Sequence, residues 1–183
     1  MTMPMTRPCW WVLATGSRFY ANFACILGVF GEIAAEHPDQ EIVLLHGMCD
    51  PRRPSPQPRL RVVIPWRAAE KMSPEDQVRL LGGDWLADQA AMRLGWRIER
   101  RPADWKQHRK RAGFIRNDAM VAEMVANGAI AGHGECVPFR GPCESPECDI
   151  TQPHESHGTV HCVNRARRAG ISVREAPVPV TPG

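Results

Sequence analysis

The sequence predicts an α/β fold in which a mainly parallel sheet is covered by helices on both faces. Short apolar runs, Trp10–Ala14 and Glu41–His46, have the length and composition of buried strands. Between them lies Phe19–His37, whose apolar residues recur at helical spacing. Such alternation is typical of parallel sheets, because every parallel connection needs a crossover, usually a helix. The 183 residues are enough for one domain with a substantial core.

The first strand is followed by the small-residue turn Thr15-Gly16-Ser17-Arg18, and the predicted helix Phe19–His37 begins directly after it. A Rossmann-like, nucleotide-binding sheet begins in this way, because the N–H groups of the turn and of the helix start face the ligand. A strand-to-helix turn without a ligand has the same pattern, so both interpretations are open.

The later elements continue the alternation. Gly82-Gly83-Asp84 opens a predicted helix that ends at Gly95. Four further elements are predicted: a strand at Trp96–Glu99, a short strand at Ala129–Ala131, a helix at Thr159–Ala169 and a final strand at Ile171–Arg174.

Two loop insertions interrupt a single predicted domain that spans residues 1–175. The first, about 48–81, is rich in proline and arginine, and within it Leu60–Ile64 fits an extra strand and Ser73-Pro74 a helix start. The second, about 132–156, is rich in cysteine, histidine and glycine. Residues 176–183 are predicted to be a disordered tail.

The segment 100–116 concentrates positive charge in a chain whose net charge is only +3. A turn is predicted at Ala112-Gly113, which places Arg116 and Asn117 in the first turn of the following helix. A helix start combines unpaired N–H groups with the positive end of the dipole, so an arginine there favours an anion, most often phosphate. A solvated basic face beside an ordinary helix is the alternative.

Several short motifs run in order across nearly the whole chain outside the insertions. They are ATGSR at 14–18, HG at 46–47, GGDWLAD at 82–88, PADW at 102–105, GFIRN at 113–117, SHGT at 156–159 and RRAGI at 167–171. In this combination the chain resembles the SLOG superfamily and, within it, the YspA-like branch found in actinobacteria and their phages.

The resemblance implies a pocket for a nucleotide or a nucleotide-derived signal, which the protein would sense or sequester, and pairing as a homodimer. The apolar patch at 9–13 is short and fits a buried strand better than a signal peptide, which predicts a cytoplasmic protein. We expect the ligand-binding residues to meet where the strands end. They are Thr15, Gly16, Ser17, Arg18, Gly82, Gly83, Asp84, Arg116, Asn117, Ser156, His157, Gly158 and Thr159.

Two other functions stay open as alternatives. Relatives that hydrolyse nucleoside monophosphates at the N-glycosidic bond carry a glutamate three residues after the Gly-Thr pair, where this chain has Cys162. Loss of that carboxylate disfavours an enzyme of this class, because it stabilises the cation or handles the proton. Single-stranded DNA binding through the basic segment and the tryptophans is disfavoured by the modest net charge, and no apolar run is long enough to predict a membrane partner.

Cysteine and histidine crowd into residues 136–162, and the seven cysteines, an odd number, favour thiols or a metal over disulfides. Zinc takes four nitrogen or sulfur ligands, and the set predicted here is Cys136, Cys143, Cys148 and His154. The irregular spacing without a Cys-x-x-Cys pair also fits a loop with free thiols.

Overall fold

The computed structural model describes residues 8–54, 62–143 and 148–177. Its strands are β1 (Cys9–Gly16), β2 (Glu41–His46), β3 (Arg97–Arg100), β4 (Gly134–Phe139) and β5 (Ser172–Val173). Its helices are α1 (Phe23–Glu36), α2 (Trp66–Ala69), α3 (Pro74–Gln77), α4 (Gly83–Arg93), α5 (Trp105–His108), α6 (Ala112–Ala126) and α7 (His157–Arg168), with 3-10 turns at 109–111 and 129–131.

The five strands form one sheet in the order β3-β2-β1-β4-β5, and every pairing is parallel. The chain winds outward from β1 in one direction to β3 and then in the other to β5. The strand order therefore reverses between β1 and β4, which is where a Rossmann-like sheet leaves a crevice beyond the ends of its strands. The predicted α/β class is confirmed.

Helices cover both faces of the sheet, because alternate residues of each strand point to opposite sides. On one face Val12, Leu44 and Phe139 pack with α1 and α4. On the other, Leu13 and Leu45 pack with α6 and α7. The central strands are apolar on both faces, as expected for a buried parallel sheet.

Residues 48–81 connect β2 to α4 and contribute Trp66, Ala69 and Leu80 to the core. Ser73 caps α3, since its hydroxyl accepts a hydrogen bond from the Asp76 amide at 3.2 Å. Of the stretch predicted as an extra strand, residues 60–61 lie outside the described residues. Val63 forms only an isolated bridge with Arg52.

Four predicted assignments are wrong. Ala129–Ala131 is a 3-10 turn between two left-handed glycines, and the strand lies later, at Gly134–Phe139. This strand, β4, occupies residues that the sequence assigns to the second insertion. The segment that follows it, 140–156, is described at 140–143 and 148–156. Helix α1 begins at Phe23 instead of Phe19, and α6 begins at Ala112, where a turn is predicted.

The predicted tail lies mostly outside the described residues, at 178–183. Ala176, which precedes them, packs against the core on the α1 face.

Candidate functional site

A cavity of about 790 Å³ opens at the carboxyl edge of the sheet, where the strand order reverses. Ten of the thirteen predicted ligand-binding residues line it: Thr15, Gly16, Ser17, Arg18, Asp84, Arg116, Asn117, Ser156, His157 and Gly158. A volume of this size suits a ligand of drug or nucleotide dimensions.

The cavity wall also contains residues outside the predicted set: Phe19, Cys49, Arg52, Trp105, Arg109, Lys110, Gly113, Phe114, Pro142 and Cys143. Three of them belong to features that the sequence shows. Trp105 ends the PADW motif, and Arg109 and Lys110 belong to the basic segment 100–116. Pro142 reaches the cavity through the 140–156 segment, whose path no sequence pattern fixes.

Gly82, Gly83 and Thr159 are not part of the wall. The Gly83 amide donates to the Ser17 carbonyl at 2.9 Å, and a Cβ atom on Gly83 would lie 2.6 Å from the Gly16 Cα. Gly83 therefore packs beneath the turn that follows β1 instead of facing a ligand. The Thr159 hydroxyl is buried and has no hydrogen-bond partner within the described parts of the chain.

Arg116 lies in the second turn of α6, so it does not mark a helix start as predicted. Its side chain is 11% exposed and crosses to the end of β2, where its guanidinium packs against Gly47. Its Nη2 lies 3.5 Å from the Cys49 sulfur, and its Nη1 lies 3.8 Å from an Asp84 carboxylate oxygen. Burial lowers the pKa of Arg116, but Cys49 and Asp84 outweigh burial and hold the pKa above its ordinary value. Arg116 therefore brings a permanent charge to the cavity.

Asn117 joins α6 to the start of α7. Its side-chain amide donates to the Gly158 carbonyl at 3.0 Å, and its oxygen accepts from Arg116 Nε at 2.9 Å. Asn117 is 3% exposed, so both bonds are shielded from water. The first residues of α7 consequently hold a fixed position at the cavity wall, and no side chain caps this helix start among the described residues.

The charge around the cavity is strongly positive. Five of its described lining side chains are cationic, Arg18, Arg52, Arg109, Lys110 and Arg116, whereas Asp84 is the acidic one. Arg18 lies over the Trp105 ring at 5.7 Å from its centroid. Trp105 is 49% exposed, so part of its indole ring is accessible beside Arg18.

The two acidic residues at the start of α4 have different roles. Asp84 faces the cavity and accepts a hydrogen bond from the Cys49 amide at 3.0 Å. Asp88 is buried, 2.9 Å from His46 Nε2, and it accepts two hydrogen bonds from Arg100 at 2.7 and 3.0 Å. Burial raises the pKa of Asp88, but the bonds from His46 and Arg100 outweigh it and hold the pKa below its ordinary value. Asp88 therefore ties α4 to β2 and β3 and does not reach a ligand.

Four residues of the 140–157 region could hold a metal ion: Cys143, Cys148, His154 and His157. Their ligand atoms all lie within 4.8 Å of one another. Cys148 Sγ lies 3.3 Å from His154 Nε2 and 3.2 Å from His157 Nε2, and the two Nε2 atoms are 3.2 Å apart. The edges of a tetrahedral zinc site with two sulfur and two nitrogen ligands measure about 3.3–3.8 Å. The three ligand atoms of Cys148, His154 and His157 are already close to that geometry, whereas separations of up to 4.8 Å elsewhere in the cluster must shorten by about 1 Å when a metal binds.

A hydrogen bond of the His154 ring favours the tautomer that binds a metal. Its Nδ1 lies 2.9 Å from the Gln152 carbonyl, to which it can donate only when it carries the proton. That tautomer leaves Nε2 with a free lone pair, as in most metal-bound histidines.

The predicted ligand Cys136 is wrong, and His157 takes its place in the cluster. Cys136 lies in β4 and is fully buried on the α7 face of the sheet. A hydrogen bond with Cys162 and burial both raise the pKa of Cys136, so its thiol stays protonated. Metal ligation requires the thiolate.

Cys162, at the position where hydrolase relatives carry a glutamate, is also fully buried. It packs in the core beside Cys136 and is not part of the cavity wall.

None of the helices in the described ranges combines the length and apolar character needed to cross a bilayer. The chain matches no protein-family model, and comparison with curated proteins gives no match.

Proposed function

We propose that this protein binds a phosphate-bearing, nucleotide-like small molecule in the cavity at the carboxyl edge of the sheet. The observation that carries the proposal is the excess of cationic side chains around a cavity of about 790 Å³. Arginine suits this role, because its planar guanidinium binds phosphate through two parallel hydrogen bonds.

The start of α7 supports the same ligand class. Ser156, His157 and Gly158 line the cavity, and uncapped N–H groups at a helix start attract phosphate. Trp105 offers a ring on which a base could stack. The arrangement therefore favours phosphate near α7 and Arg116, with the base toward Trp105.

The ordered motifs and this cavity together favour membership of the SLOG superfamily, in its YspA-like branch. In that setting the protein would act in the cytoplasm, as a homodimer, by sensing or sequestering a nucleotide-derived signal.

The proposal is tested by calorimetric titration with ADP, ADP-ribose and adenosine, which lacks phosphate. We expect ADP or ADP-ribose to bind and adenosine not to bind. Arg18→Ala removes an exposed cation from the wall and should weaken binding, whereas Arg67→Ala, an exposed arginine of α2 outside the wall, should not. Equal binding of adenosine and ADP, or no binding of any of the three, contradicts the proposal.

The two alternatives have weaker support. Glycosidic hydrolysis uses a pair of carboxylates, and Asp84 is the single acidic residue in the described wall. Single-stranded DNA would bind to the basic segment, but two of its arginines already form ion pairs within the protein. Arg100 binds Asp88, and Arg101 binds Glu123. Release of free adenine from AMP would establish the hydrolase.

We also propose that the metal cluster formed by Cys143, Cys148, His154 and His157 binds zinc. Two thiolates and two imidazoles form a ligand set that Zn²⁺ prefers, in tetrahedral coordination. Elemental analysis of the purified protein should find one zinc per chain, and Cys148→Ser should lose it. A wild-type protein without zinc after purification in zinc-supplemented medium contradicts this assignment.

A further inference from the structure

Two residues belong both to the metal cluster and to the cavity wall. Cys143 and His157 line the cavity, while Cys148 and His154 complete the cluster outside it. We propose that the bound metal is the clip that holds one wall of the ligand cavity, so that ligand affinity depends on metal occupancy. The ligand part of this inference rests on the proposed function.

The described ends of the 140–156 segment are held by a few polar contacts, among them the ion pairs of Arg140 with Glu155 at 2.6 Å and with Glu175 at 2.8 Å. Its described backbone forms a narrow ladder, in which the Cys143 amide donates to the His154 carbonyl at 2.8 Å and the Ser156 amide donates to Gly141 at 3.0 Å. Its described residues contribute no member to either buried core cluster. A small segment without a core needs a cross-link such as a metal to keep one conformation.

The segment touches the turn after β1 at close range. The Ser17 hydroxyl donates to the Pro142 carbonyl at 3.2 Å, and a Cβ on Gly141 would lie 2.8 Å from the Ser17 Cβ. The metal ligand Cys143 is the next residue after Pro142. A displacement of the segment would therefore also displace the turn that lines the cavity.

The other end of the clip is the first residue of α7. His157 begins this helix, and the adjacent Gly158 accepts the hydrogen bond from Asn117. A metal that binds His157 together with Cys143 would fix the distance between the β1 turn and the α7 start.

The clip would act through geometry and not through charge. Two thiolates balance the two charges of Zn²⁺, and neutral imidazoles add none. Four protein ligands also fill a tetrahedral site, which makes it structural, without an open position for a ligand. The effect of the metal on anion binding should therefore be insensitive to salt, unlike that of the arginines.

The test compares the zinc-loaded wild type with the same protein after EDTA treatment and after zinc is restored. ADP affinity is measured by calorimetry, and amide hydrogen exchange is followed at residues 15–19 and 156–160. We expect chelation to weaken ADP binding by about 5- to 150-fold, the usual range for coupled sites, to speed exchange in both segments, and zinc to reverse both effects.

Variants separate the metal from the wall. Cys148→Ser and His154→Ala remove ligands that do not line the cavity, and each should reproduce the chelated state. Cys25→Ser is the matched control, since this partly buried thiol of α1 lies outside the cluster and the wall. Unchanged ADP affinity and exchange in chelated protein and in Cys148→Ser would overturn the inference.

Hydrogen exchange keeps the two proposals distinct. If the zinc-loaded wild type binds no ADP, the proposed function fails at that step. Faster exchange at 15–19 and 156–160 after chelation would then still support the clip, and unchanged exchange would overturn it.

Discussion

A side chain at Gly47, directly after β2, is predicted to destabilise the fold, because Arg116 occupies the space where that side chain would begin. A Cβ at this position would lie 1.4 Å from Arg116 Nη1 and 2.0 Å from its Cζ. In Gly47→Ala the guanidinium must therefore move by about 2 Å to reach ordinary contact. It would then leave the Cys49 sulfur, the Asp84 carboxylate and the Asn117 oxygen.

The cost is worked from the one short hydrogen bond among those contacts, Arg116 Nε to the Asn117 oxygen at 2.9 Å. A hydrogen bond that involves a charged group contributes about 1.5–3 kcal/mol. For a domain of this size, each kcal/mol lowers the Tm by about 2–4 °C, so we expect Gly47→Ala to melt about 3–12 °C below the wild type. Gly28→Ala is the control, because a Cβ there meets nothing within 4 Å and should stabilise α1 by about 0.5–1 kcal/mol.

A double-mutant cycle identifies the cause. If the clash with Arg116 is responsible, Gly47→Ala should cost almost nothing in an Arg116→Ala background, because the obstructing group is gone. The assay is chemical unfolding of the four proteins, analysed for non-additivity. Additive costs within about 0.5 kcal/mol would refute the reasoning and locate the effect in the backbone of Gly47.

The remaining predictions concern the supports of the cavity. Asp88→Asn should lower the free energy of unfolding by about 3 kcal/mol at pH 7. Because the folded pKa of Asp88 lies below its ordinary value, this difference is fully present above about pH 4 and shrinks as the pH falls further. Unfolding curves at several pH values will check this. Gly83→Ala should prevent folding or lower the Tm by more than Gly47→Ala does, since its Cβ would meet backbone of Gly16 and not a movable side chain; an unchanged melting curve contradicts this. Asn117→Ala should speed amide exchange at the start of α7, because the bond to Gly158 is lost.

Much of the fold could be predicted because the two central strands carry strong local signals. The run EIVLLH at 41–46 is continuous and apolar, and the structure places β2 at those residues. The strand GECVPF at 134–139 lacks such a signal, since glycine, glutamate and proline are all poor strand formers. Tertiary pairing with β1 imposes the extended conformation there.

Site residues that directly follow the end of a strand could be predicted from the sequence. Residues whose role depends on the direction of the side chain could not. Thr15–Arg18 reach the cavity because β1 ends at Gly16. By contrast, cysteine spacing cannot show that Cys136 lies in the core while the Cys143 sulfur lies within 4.8 Å of two histidine nitrogens. Gly113 likewise indicates a turn in sequence, yet it lies inside α6, because helix packing overrides a weak local preference.

The strand order has a consequence for how the chain folds. β1 pairs on one side with β2, which follows soon in the chain, but on the other side Trp11 pairs with Gly134. As the chain leaves the ribosome, one edge of an apolar central strand therefore stays open until most of the protein has been made. Such an edge is a template for wrong pairing, and contacts between distant residues slow the search for the native state. The half-sheet β3-β2-β1 is thus the species in which aggregation competes with completion of the fold.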